Sequence, residues 1–142
     1  MKDDLASANV NRSYTLSGMS IAIFTFMLIF LYPRYASGDI NPILFQATLI
    51  VMNVATFSYV FASFYYYGSS LTDRIEEAER HRASYRGDRF WLLGTSLLFL
   101  DPSLILFSVR LALVGSIWLG LWLVYMLFVM RNFPRVRTAR RR

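Results

Sequence analysis

Residues 42–67, PILFQATLIVMNVATFSYVFASFYYY, contain no Asp, Glu, Lys or Arg, and the charge-free run extends over residues 40–72. About 20 residues of helix cross the hydrocarbon core of a bilayer, so this stretch is long enough to span one. Pro42 suits the first turn of a helix, and the Tyr65-Tyr66-Tyr67 cluster suits a membrane–water interface.

Outward from this stretch the same pattern repeats. Residues 13–33 and 111–130 are also free of charge, and residues 90–109 carry one charge, Asp101, between Arg89 and Arg110. The spacing predicts an all-α integral membrane four-helix bundle of two transmembrane hairpins, with spans at about 15–32, 42–67, 90–111 and 115–133. Pro33 and Arg34 are expected to close the first span, and Gly115-Ser116 supplies the turn chemistry between the last two. The whole chain, 1–142, reads as a single transmembrane domain with a short polar arm at 1–14 and a basic tail at 131–142. The segment 71–86 is strongly charged, opens with Ser70 and Asp73, and stops at Gly87. It is expected to form a cytoplasmic helix continuing span two.

The first span competes with a secretory signal peptide, because Ala36-Ser37-Gly38 resembles a small-residue cleavage site. The region before it is not net basic, which favours a retained helix. Lys and Arg in short flanks mark the cytoplasmic side. Segment 69–89 carries five arginines and the tail six. With Lys2 and Arg12, thirteen basic residues fall on one side, against Arg34 and Arg110 on the other. Both termini are therefore expected in the cytoplasm, where the Asn11-Arg12-Ser13 sequon would stay unmodified.

The chain has no Cys and one His, His81, which lies among Arg and Glu. Disulfides, thiolate catalysis and Cys-based metal sites are excluded within it, and no cofactor, metal site or catalytic residue is expected. There is no Walker loop, dinucleotide fingerprint, nucleophile elbow or HExxH motif.

Asp101 is the residue with the most to say. Twelve residues past Arg89, at 1.5 Å per residue, it lies roughly 18 Å into the membrane. An ionised Asp at that depth costs about 2.5–3.5 kcal/mol on insertion scales. With Pro102 after it, Asp101 reads either as an N-cap at a break in span three or as a proton or cation site at a discontinuous helix. Gln46, Asn53, Thr56 and Ser63 recur along span two, and a hydrogen bond between Asn53 and Asp101 is the expected contact at mid-membrane. These five residues form the candidate intramembrane polar site. Small residues mark expected contact faces at Gly18, Ala22 and Thr25, and at Ser116 and Gly120. Trp118 and Trp122 share a face turned to lipid or a partner.

Arg110 is expected to reach headgroups on the outer side. The tail arginines Arg135, Arg137, Arg140, Arg141 and Arg142 are expected to meet anionic lipids at the cytoplasmic face. Nucleic acid is not an expected partner. Abundant packing surface with little chemistry points to a non-catalytic small subunit or assembly factor of a larger membrane complex, partnered by other subunits or by itself. The alternative is a small homo-oligomeric ion or proton channel or transporter that uses Asp101. An enzyme is least supported, since one carboxylate without His, Cys or a second buried acid makes a poor acid–base pair.

Overall fold

A computed structural model describes the backbone of residues 2–71 and 76–139 and the side chains of residues 7–71 and 76–132. It is all-helical, with no strand among the described residues. The helices are α1 (Lys2–Ala36), α2 (Pro42–Ser70), α3 (Glu77–Ser108) and α4 (Ala112–Ala139). All four are long and apolar enough to cross a membrane. They pack in chain order, α1 on α2, α2 on α3 and α3 on α4.

The interior is rich in small and hydroxylated residues, with a few large ones such as Phe45 and Met52 among them. Ser13, Ser17 and Ser20 bury one face of α1, and Gly87, Gly94, Asp101 and Ser108 recur every seven residues on α3. Large apolar side chains such as Phe26, Phe30, Phe57, Phe64, Leu127 and Phe128 point outward. In water this distribution would be inverted; in lipid it is expected, because close backbone approach rather than hydrophobic burial holds helices together there. The serines and threonines are compatible with a dry interior because most bond back to their own helix. Ser20 donates to the Leu16 carbonyl, Thr48 to Leu44 and Ser58 to Val54, at 2.7–2.9 Å.

α2 presents Phe45, Thr48, Met52, Ala55, Tyr59, Ala62 and Tyr66 inward, alternating three and four residues apart. That is the period that keeps one seam of a helix against a neighbour. Its tyrosines fill the gaps left by the α3 glycines. A Cβ on Gly87 would lie 2.9 Å from the Tyr66 ring, and one on Gly94 would lie 3.1 Å from both the Tyr59 ring and the Ala55 carbonyl oxygen. Continued by seven residues at each step, this antiparallel register sets Met52 opposite Asp101 and Phe45 opposite Ser108. The Asn41 N–H donates to the Ser108 carbonyl at 3.0 Å where the register ends.

Several helix ends differ from the sequence expectation. The N-terminal arm is not separate from the first span: α1 is helical from Lys2, with Ser13 fully buried and the Arg12 guanidinium 4.4 Å above the Trp91 ring. Pro33 lies inside α1 and does not close it; it withholds an N–H from the Ile29 carbonyl, and the helix runs on to Ala36. The charged segment is not a continuation of α2. Ser69 and Ser70 donate to the Tyr66 and Tyr67 carbonyls at the end of α2, which stops at Ser70. The charged residues from Glu77 onward are instead the first turns of α3, with Glu77 and Glu79 placed favourably at its N-terminus. Gly87 is no helix stop, since packing against Tyr66 outweighs its weak helix propensity. Asp73, expected in a helix start, lies outside the described residues. The backbone of the basic tail is helical to Ala139.

The last hairpin also turns elsewhere than expected. Its tip is Val109–Leu111, and Gly115 lies within α4, where a Cβ would come 3.2 Å from the Phe107 ring. Leu111 N–H bonds to the Leu106 carbonyl and Arg110 N–H to Phe107, with Arg110 at φ 66°. This is the Schellman arrangement, whose left-handed position usually holds glycine. Gly38, at φ 80°, takes the same place after α1, where Asp39 N–H reaches the Arg34 carbonyl. Asn41 then caps α2, accepting from Ile43 and Leu44 N–H ahead of Pro42, as the proline's position suggested.

Gly94→Ala is expected to force α2 and α3 apart and destabilise the fold by about 1–3 kcal/mol, because one contact of the new Cβ is backbone. Unfolding in mixed micelles would measure it. Arg110→Gly should stabilise the same fold by about 1 kcal/mol, since a non-glycine residue loses that much in the left-handed region. The same unfolding assay checks it, and destabilisation would contradict the tight α3–α4 turn.

Candidate functional site

Asp101 lies inside a continuous α3, two turns from its C-terminal end, with 1% of its surface exposed. Neither carboxylate oxygen has a hydrogen-bond partner among the described residues. The helix does not break at Asp101, so no freed amides are presented to it and the expected N-cap does not form. Pro102 is carried inside the helix. It leaves the Leu98 carbonyl without its usual N–H donor, and the lesion is confined to one turn.

The expected bond between Asn53 and Asp101 is absent. Asn53 is exposed on α2 and donates to the Leu49 carbonyl on its own helix at 2.9 Å. The supposed stripe is also divided in space. Gln46 is exposed and donates to the Tyr35 hydroxyl at 3.0 Å, while half-buried Thr56 donates to Met52 and buried Ser63 to Val60. Spacings of seven, three and seven advance slightly less than whole turns, so the four residues drift around the helix. Residues 45, 52, 59 and 66 hold the seam that faces α3, and Asn53 is one position off it.

Most of the side-chain hydrogen bonds that do join helices are donated by aromatic residues. The Tyr59 hydroxyl donates to Thr95 Oγ1 at 3.2 Å, and the Tyr66 hydroxyl to Asp88 Oδ1 at 2.9 Å. α4 is attached to α3 by Trp118 Nε1 donating to the Phe99 carbonyl at 2.7 Å, by Trp122 Nε1 donating to the Ser96 carbonyl at 2.8 Å, and by Ser103 Oγ donating to the Gly115 carbonyl at 3.1 Å. The two indoles therefore present their N–H groups to α3, where the sequence reading had turned both to lipid or a partner. Phe99 and Ser96 flank the turn that Pro102 disturbs. The four-residue spacing of the tryptophans put them on one face but said nothing of which face met α3.

The small residues expected as contact faces on α1 and α4 are not used inside the chain. Gly18 and Gly120 have nothing within 4 Å of an added Cβ, and Ala22, Thr25 and Ser116 are exposed, as is Ala112 one turn before Ser116. Arg110 is exposed at the α3–α4 tip. The side chains of Arg135 and Arg137 and all of Arg140, Arg141 and Arg142 lie outside the described residues. Among the described residues no cluster of His, Asp or Glu is arranged to hold a metal ion.

Trp122→Phe keeps the ring but removes its donor, and should weaken the α3–α4 contact by about 0.5–1.5 kcal/mol. A disulfide cross-link engineered between α3 and α4 would then form more slowly; an unchanged rate would show that this bond does not hold α4. The chain matches no protein-family model, no curated protein and no solved structure.

Proposed function

We propose that this chain is a non-catalytic small subunit or assembly factor of a larger membrane protein complex, docked through the outward faces of α1 and α4. The observation that carries the reading is the position of its small residues. Gly18-Ala22-Thr25 on α1 and Ala112-Ser116-Gly120 on α4 point away from the rest of the chain. A lipid-facing helix has no use for glycine at such positions, whereas close contact between membrane helices depends on it. Among the described residues α4 in addition packs chiefly on α3 and leaves most of its span uncovered.

The same faces serve a second copy of this chain as well as a different subunit. An oligomeric channel built around Asp101 is less favoured, because the carboxyl is enclosed within one chain and does not face outward. Basic residues at the N-terminal end of α3 and the C-terminal end of α4 support a topology with both termini in the cytoplasm and the tail held near anionic headgroups.

Purification in mild detergent from the native membrane should bring larger proteins with the chain in fixed stoichiometry. Gly18→Leu and Gly120→Leu should abolish that association while leaving the chain folded, because a Cβ at either position has nothing within 4 Å inside it. A homogeneous homo-oligomer would replace the subunit reading with self-assembly. A folded monomer from wild type and variants alike would remove both.

A further inference from the structure

We infer that Asp101 is an intramembrane proton-binding site, and that in its neutral form its hydroxyl donates to the Leu98 carbonyl left free by Pro102. The inference goes beyond the docking reading and does not rest on it.

A carboxylate at this position has no source of counter-charge. Residues 13–33, 40–72 and 111–130 hold no Asp, Glu, Lys, Arg or His, so no helix packed nearby offers a cation at this depth. The titratable groups in those runs are all tyrosines, among them Tyr59 on α2, whose hydroxyl is given to Thr95, and Tyr125 on α4, whose ring lies 5.4 Å from that of Phe99. The register sets Met52 opposite. With 1% of its surface exposed, Asp101 is also closed to a charge supplied by lipid or by another chain. A metal cation is no better provided for, since the Ser103 hydroxyl is donated to Gly115 and no second carboxylate is near. A proton needs none of these ligands.

Protonation also supplies a donor where one is missing. The Leu98 carbonyl is three residues before Asp101, and other side chains in this protein bond back over that interval: Ser63 to Val60 and Ser108 to Ile105, both at 2.7 Å. Neutral Asp101 would do the same, so the Asp-Pro pair repairs within one turn the defect that its proline creates. Of the other buried side-chain polar atoms without a partner among the described residues, those of Ser13 and Arg80 lie outside the stretch between Arg89 and Arg110, and that of Trp91 lies at its edge. Asp101 alone lies deep within it.

Infrared spectra of the full chain in phosphatidylcholine vesicles at neutral pH should show the carbonyl stretch of a protonated carboxyl group. Carboxyls with ordinary pKa values of about 3.9–4.3 are ionised there and contribute only carboxylate bands. The band should move to lower frequency in D2O and be lost in Asp101→Asn. In Pro102→Ala, which returns an N–H to the Leu98 carbonyl, it should stay but shift, as its hydrogen bond changes. Absence of the band in the wild-type chain would overturn the inference whether or not the variants fold, as would its persistence in a folded Asp101→Asn chain. Because the isolated chain is measured, failure here is distinct from failure to find a partner complex.

Discussion

The close approach of α2 and α3 is the contact on which the rest of the structure depends. Tyr66 over Gly87 and Tyr59 over Gly94 bring two backbones together at seven-residue intervals, and each tyrosine hydroxyl then reaches a polar atom on α3. In a bilayer, lipid covers apolar surface as well as protein does, so shape and hydrogen bonding decide which helices associate. The glycines admit the rings, and the hydroxyls set how far along the helix each ring sits.

The other features lie along this seam. The register that pairs tyrosine with glycine carries Asp101 to the position opposite Met52 and leaves its carboxyl enclosed. It also brings the start of α2 to the end of α3, where the Asn41–Ser108 backbone bond joins the two. α1 and α4 are attached from the flanks by different means. α1 uses a face of serines with Arg12 over Trp91, and α4 uses two indoles and Ser103, all directed at backbone carbonyls or hydroxyl-sized gaps. A flank held by so few groups leaves its far side available, and that is where the unused glycines lie.

Much of the fold was legible in the residues. Three charge-free runs and one carrying a single acid located four helices, and Pro42 located the start of α2. The errors were of two kinds. Gly87 and Gly115 were read as punctuation, although each is a packing position in a helix whose neighbour needs the space. Asn53 and Asp101 were paired because they share a depth, but depth is one coordinate and the rotation of each helix is the other. The tip at Arg110 gave no warning, since arginine in a left-handed turn is uncommon and no local pattern marks it.

The sequence by itself determined that the chain forms four membrane-length helices and that a lone acid falls within the third, because hydropathy and charge are properties of each segment taken alone. Which faces meet, where Asp101 points and which glycines stay unused were decided only by the tertiary structure. Those depend on the angle at which one helix is turned against another, and that angle is set by pairs such as Tyr59 and Gly94, 35 positions apart in the chain.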